Sequence, residues 1–359
     1  MRALIRSWPL SVPLFALVVL ALTWGRDIPV VLVVIVALAL GGAVSTAVHH
    51  AEVVAHRIGE PFGSLVLAVA VTVIEVALIV TLMVSGGPDS ATLARDTVFA
   101  AVMITCNGIV GISLLAGARK HQIVAFNAEG AGAALSTVAT LATLSLVLPT
   151  FTTSKPGPEF SPGQLVFAAA ASLALYIVFV LTQTRAHRDF FLPVGVSDGE
   201  EEHAPPPTSR AALTSLGMLL VSLVAVVGLA KVESPAIEDG VAAAGFPPSF
   251  VGVVIALLVL LPETFAAVRA ARRDRMQTSL NLGYGSAMAS IGLTIPAIAV
   301  ASIWLDGPLV LGLGPTQMVL LALTFVVGVL TVVPGRATRL QGGVHLALLA
   351  AFLFLAINP

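Results

Sequence analysis

Apolar residues in this chain do not alternate with polar ones, as in half-buried strands, nor do they form the one-sided stripes of globular helices. They fall in runs of about 17 to 25 residues with short polar punctuation, the length that crosses a hydrocarbon core as helix. The pattern predicts eleven spans, at 9–24, 28–48, 63–85, 96–117, 128–149, 163–184, 211–231, 247–269, 280–303, 308–333 and 341–357. The turn at Arg26-Asp27 leaves open whether the first two runs make a hairpin or one long broken element. A membrane barrel would show alternation and is excluded. The first run follows Arg2 and Arg6 as a signal peptide would, but it lacks a small-residue cleavage site and is read as an uncleaved span.

Composition agrees with an all-α polytopic membrane protein: 57% of residues are hydrophobic and 10% charged, and the mean hydropathy is +1.01. The single cysteine, Cys106, lies inside an apolar run and gives no disulfide framework. Charge then orients the spans. With the N-terminus cytoplasmic, the inner segments hold all 18 basic residues except Arg26, Arg95, Lys155 and Lys231. A miscounted helix would scramble that asymmetry, so the chain reads N-terminus in and C-terminus out. The longest inner connection, RAHRDFFLPVGVSDGEEEHAPPPTSR (185–210), is acidic and Pro-rich and reads as a linker. The expected organisation is a first transmembrane helix (1–27), five spans (28–184), the linker (185–210) and five more spans (211–359). An odd number of spans per half inverts one half relative to the other, as in many secondary transporters whose sites lie at the midplane.

One ionisable residue near the middle of a span stands out in each half, Glu75 in VLAVAVTVIEVALIV (66–80) and Glu263 in VIALLVLLPETFAAV (254–268). Carboxylates at membrane depth are costly and functional by default. Pro262 lacks an N–H and frees the carbonyl of Leu258, either as a plain kink or as a backbone ligand. Thr72 shares a helical face with Glu75 and offers a hydroxyl, unless it bonds back to its own helix. In the following span of each half stand Cys106-Asn107-Gly108 and Gly285-Ser286-Ala287-Met288-Ala289-Ser290. Ser286 and Ser290 either serve close helix packing or add ligands, and the Asn107 amide, which needs partners in hydrocarbon, is expected to face the cavity rather than lock the packing. A hard divalent cation such as Ca2+ takes about six to eight oxygens from carboxylates, carbonyls and water. Two glutamates close together in a low-dielectric site hold either a cation or protons, and that mutual exclusion is the chemistry of an antiporter.

Other polar clusters point to weaker roles. His49, Glu52 and His56 share a helical face and, with His50, make a candidate metal site at the cytoplasmic mouth, although a solvated helix end is the simpler reading. Glu60, just before Pro61, reads as a helix-start carboxylate or as a funnel for cations, and Glu129, near the start of the fifth span and shallow enough to reach water, is a candidate secondary site. The Glu200-Glu201-Glu202 run reads as solvated or as a calcium-concentrating segment, and the Arg269–Arg275 cluster as topology and lipid contact, with no nucleic-acid partner. No His-Glu-x-x-His, Gly-x-Ser-x-Gly, Walker loop or dinucleotide fingerprint is present, so neither an enzyme nor an organic cofactor is expected.

The runs GEPFGSLVLAVAVTVIEVALIVTLM (59–83) and LVLLPETFAAVRAARRDRMQTSLNLGYGSAMASIGLTIPAI (258–298) resemble the paired repeat motifs of bacterial calcium/proton antiporters in the cation/calcium exchanger superfamily, most of all its ChaA branch. The likeness extends to RKHQIVAFNAEGA (119–131) and GRATRLQGGVHLALLAA (335–351) and covers nearly the whole chain from about residue 28. It implies a peripheral first helix followed by two inverted five-helix repeats in a bacterial inner membrane. It also implies cation- and proton-binding roles for Glu75 and Glu263, with inorganic cations, protons and lipid as the partners. The better-known exchangers carry a Gly-Asn pair shortly before the essential glutamate, whereas Thr72 and Leu260 stand at those polar positions here. Ca2+ is the expected ion because one Ca2+ or two protons neutralise the same pair; Na+ or K+ exchange, or a cation channel, are the alternatives. The orientation is testable by fusion: alkaline phosphatase after Pro359 is expected to be active in a bacterial host and a fluorescent protein there dark, and the reverse pattern would overturn the span count.

Overall fold

The computed structural model describes residues 2–26, 28–59, 62–85, 87–194, 207–304 and 307–359. Its helices are α1 (Arg2–Thr23), α2 (Val30–Ile58), α3 (Phe62–Ser85), α4 (Leu93–Met103), α5 (Val110–His121), α6 (Ala128–Ala142), α7 (Leu148–Phe151), α8 (Pro162–Leu181), α9 (Ser209–Ala243), α10 (Phe250–Arg272), α11 (Met276–Gly292), α12 (Thr294–Ala301), α13 (Pro315–Val332) and α14 (Arg339–Ile357). Widened π-helical turns at Ile104–Ile109 and Thr143–Val147 join α4 to α5 and α6 to α7, and a third at Thr182–Ala186 ends α8. Among the described residues ten helical stretches are long and apolar enough to cross a membrane, and Trp8–Thr23 is a shorter apolar helix before them. The protein is an all-α membrane protein, with ten long apolar helices plus a shorter N-terminal one among the described residues. The first two runs are separate helices turned at Gly25, whose φ of 68° suits glycine.

The helices form two compact units, Met1–Ser90 with Glu202–Val251, and Ala91–Glu201 with Gly252–Pro359. In the first, α9 lies antiparallel to α2: the Arg57 guanidinium donates to Ser209 Oγ at 2.9 Å, and the Thr46 and Ser222 hydroxyls meet 3.5 Å apart further along. α1 runs alongside, with Leu20 against Gly228 and the Lys231 ammonium 5.3 Å from the centre of the Trp24 ring. Two prolines, Pro9 and Pro13, sit inside α1. Pro13 has no N–H for the carbonyl four residues back, and His50 Nε2 from α2 lies 2.8 Å from that Pro9 oxygen. A carbonyl only accepts, so Nε2 carries the proton. α9 continues to Ala243 rather than stopping near 231, because Glu233, Ser234 and Val241 are buried beyond the expected end.

The second unit is tied together by loops. Val124 and Ala125 (β1) pair antiparallel with Ala337 and Arg336 (β2), which puts the connections after α5 and after α13 on one face. On the opposite face the Val310 N–H donates to the Ala91 carbonyl, Gly312 N–H to Pro158 and Leu313 N–H to Leu146. Those bonds hold 310–313 extended, so α13 begins at Pro315 rather than near 308. Within this unit the loops on each face are those that an alternating up-and-down path brings together. Helix starts are capped as their sequences suggest: Asn127 Oδ1 accepts from the Glu129 and Gly130 N–H groups, and the Thr338 hydroxyl accepts from Leu340 N–H. The first residues of the expected linker fold onto this unit, with Phe191 edge-on to Phe179 and its carbonyl accepting from the Asn281 amide.

Gly130 lies so close to this segment that an added Cβ would come within 2.1 Å of the Phe190 carbonyl oxygen, while one at Gly132 would meet nothing within 4 Å. Gly130→Ala is therefore expected to destabilise the protein by about 1–3 kcal/mol through overpacking. Gly132→Ala, in the same helix, should be neutral or gain a few tenths from helix propensity. Thermal unfolding in detergent separates the two, and equal midpoints would contradict the contact.

Candidate functional site

Glu75 projects from the middle of α3, a helix of apolar residues, and is 3% exposed. Thr72, one turn earlier on the same face, is also buried, and its hydroxyl has no hydrogen-bond partner among the described residues. It does not bond back to its own helix, the default for threonine in this chain, and so remains available to a ligand. Glu263 is half-buried in α10 directly after Pro262, and the helix continues through the proline to Arg272. The Leu258 carbonyl is consequently without its helical donor, while the Thr264 hydroxyl donates to the next turn's Leu260 carbonyl at 2.7 Å. Each carboxylate thus has an oxygen-bearing neighbour within its own helix, a side chain at one and a backbone group at the other.

Asn107 lies in the widened turn Ile104–Ile109 and is fully buried. Its Nδ2 donates to Thr324 Oγ1 on α13 at 2.9 Å, and its Oδ1 faces His345 Nδ1 on α14 at 3.2 Å. His345 Nε2 in turn lies 3.1 Å from Thr331 Oγ1. Both ends of the amide are used by protein groups, so the expectation that it faces a cavity gives way to the packing role. The reason is geometric: the extra residue in the turn swings the side chain toward α13 and α14. Ser286 and Ser290 stand one turn apart on α11, the first half-buried and the second 5% exposed. Gly283 of that helix packs on the Ile109 and Val110 side chains and the Thr105 carbonyl, bringing the small-residue stretch of α11 to the Asn107 turn.

The histidine cluster of α2 does not form a metal site. No group of three His, Cys, Asp or Glu side chains placed to hold a metal exists among the described residues. His50 turns inward to the Pro9 carbonyl, whereas Glu52 and His56 are exposed; at 100° per residue, His50 cannot share a face with both. Glu129 is exposed in the first turn of α6, the position a helix dipole favours for a carboxylate. Glu60 and the Glu200-Glu201-Glu202 run lie outside the described residues.

Several buried polar residues were not singled out in the sequence. Asp96 is 4% exposed and held by Arg95 at 2.8 Å and by the Thr92 hydroxyl at 2.7 Å. Glu233, also 4% exposed, falls beyond the expected end of its span. His345, a lone ionisable group in the apolar run GGVHLALLAA, carried the signal that would have found it.

The model of the sodium/calcium exchanger protein family matches residues 28–185 and 214–358. The chain belongs to this family. As a member, within the cation/calcium exchanger superfamily, it is a secondary transporter and not an enzyme. A candidate ionic transporter of Sinorhizobium fredii, y4hA, is 46% identical over 98% of this chain and 96% of its own length. The sodium-potassium/proton antiporter ChaA of Escherichia coli is 38% identical over 96% and 94%. Among solved structures, the H+/Ca2+ exchanger CAX superposes with a TM-score of 0.73 over 96% of this chain and 86% of that one, at 17% identity, which establishes the shared fold.

The Asn107 contacts generate a stability test. Asn107→Ala removes the amide's bonds to the Thr324 hydroxyl and to the His345 ring and is expected to cost about 1–3 kcal/mol, as is His345→Ala. Because they share one network, the double variant should lose clearly less than the sum. Strict additivity in thermal unfolding would place the two residues in separate environments.

Proposed function

We propose that the protein is a cation/proton antiporter in which Glu75 and Glu263 bind the transported cation and, in its absence, protons. The observation that carries this reading is a carboxylate at mid-helix in each of two apolar helices, Glu75 fully and Glu263 half buried, each with an unconventional oxygen beside it. A membrane helix without a functional need for charge would carry none there. Cation and protons neutralise the same carboxylates and so exclude one another, and each loaded form can be exposed in turn to the two sides. Ca2+ is the first choice of ion, since one such ion balances both charges, with Thr72, the Leu258 carbonyl and water completing its oxygens. Ser286 and Ser290 are the remaining candidates for that shell. The 38% identity to a sodium-potassium/proton antiporter favours a second reading, in which monovalent cations are carried. The scarcity of side-chain oxygens suits that reading as well. The location that fits is the cytoplasmic membrane of a bacterium, with the N-terminus inside.

Purified protein in vesicles tests the proposal with Ca2+, Na+ and K+ side by side. Uptake driven by an imposed pH gradient is expected for at least one of these ions and should drop to the level of empty vesicles in Glu75→Gln and Glu263→Gln. Uptake indifferent to the gradient would make the protein a channel or uniporter. At fixed cation concentration the initial rate should fall as the pH on the loading side falls, because protons then occupy the carboxylates. A flat profile from acid to alkaline would contradict shared occupancy.

A further inference from the structure

Serine and threonine inside these helices as a rule donate to a carbonyl three or four residues back; Thr105, Thr137, Thr264 and Thr331 all do so. Thr72, Thr97 and Thr294 break the rule singly, in α3, α4 and α12, and Ser113 of α5 and Ser279 of α11 break it as a pair. Both are at most 1% exposed, and neither hydroxyl has a hydrogen-bond partner among the described residues. The Tyr284 hydroxyl of α11, on a fully buried ring, is in the same position.

Their placement is not scattered. α5 and α11 are antiparallel neighbours whose register is set by Gly283 against Ile109 and Val110. Ser113 is one turn beyond Ile109, and Ser279 one turn before Gly283, each on the face turned to the other helix. The two serines therefore stand level with one another across the seam. Tyr284, beside Gly283 and within electrostatic range of Cys106, stands level with the Asn107 turn. From the serine level to the tyrosine level is about 7.5 Å along the helix axis, a gap that about two to three water molecules bridge. Beyond Tyr284 the hydrogen-bonded sequence Asn107, His345, Thr331 continues through the same unit.

We infer that the seam between α5 and α11 holds a short file of water, a proton path running from Ser113 and Ser279 past Tyr284 to the Asn107–His345 pair. A buried hydroxyl left unmade costs about 1–3 kcal/mol, and a file of bridging waters removes that cost at each of the three. The lining contains hydroxyls and amides but no carboxylate; its titratable groups are Tyr284, Cys106 and His345. Such a lining relays protons through hydrogen bonds and offers a metal ion no counter-charge. The route rests on the proton exchange proposed above.

Two measurements test it. X-ray radiolytic labelling in 18O water should modify Tyr284, as a ring beside trapped water is modified; an unlabelled Tyr284 would overturn the file whatever the transport activity. In vesicles, the Ser113→Ala/Ser279→Ala double variant and Tyr284→Phe should each slow gradient-driven cation uptake about tenfold. Equilibrium cation binding should be unchanged, and Ser113→Thr, which keeps the hydroxyl, should retain the wild-type rate. If the hydroxyls are only packing imperfections, the apolar variants will transport at the wild-type rate and unfold at the same or a higher temperature, and the proton path is then wrong. A wild type that shows no gradient-driven uptake of any ion fails the proposed function instead, and the labelling result still decides whether the file exists.

Discussion

Everything in this molecule follows from a solvent that forms no hydrogen bonds. In hydrocarbon each peptide group has to find its partner within the chain, so helices are the only economical answer and every departure from a regular helix has to be made good locally. Pro13 removes one donor and His50 supplies it from the neighbouring helix. The extra residue at Ile104–Ile109 turns a side chain out of register, and three residues from α13 and α14 receive it or extend its network. At Pro262 and Thr72 the departure is not made good, and both lie beside a carboxylate. The pattern of repaired and unrepaired irregularities is the map of where function is sought.

Much of the fold was readable from the chain alone because apolar run length is a one-dimensional signal. The spans were legible because hydrocarbon thickness is fixed. Their ends were not. α2 and α9 run on past the apolar stretch because tertiary neighbours bury Val54, Glu233 and Ser234, and burial by another helix leaves no trace in local hydropathy. The glutamates were conspicuous for the same reason that the spans were, as isolated charges in apolar text. Asn107 is conspicuous in the sequence, but the choice between a cavity and a neighbouring helix depends on His345 and Thr324, more than two hundred residues away. The histidines of α2 were legible as a face of a helix; which of them that face would bury was not.

Family membership and ion choice rest on different parts of the chain. The resemblance spans almost the whole sequence and is carried by helices and loops that build the fold. In the site proposed at Glu75 and Glu263, selectivity between one divalent and one monovalent ion would turn on a handful of oxygens around two carboxylates. A relative at 38% identity can share every helix and differ there. Thr72 on α3 and the apolar Leu260 on α10 make the two carboxylate neighbourhoods chemically unequal.

The amide of Asn107 and the hydroxyl of Thr324 are 217 positions apart in the chain. At ribosomal speeds of about 5–20 residues per second, Asn107 is in the bilayer for ~10–40 s before its partners have been synthesised. During that interval a polar group sits in lipid, or in the insertion machinery, with no native partner. Biogenesis of this protein therefore includes an obligatory waiting state, and the cell's membrane quality control meets the second unit first as an incomplete one.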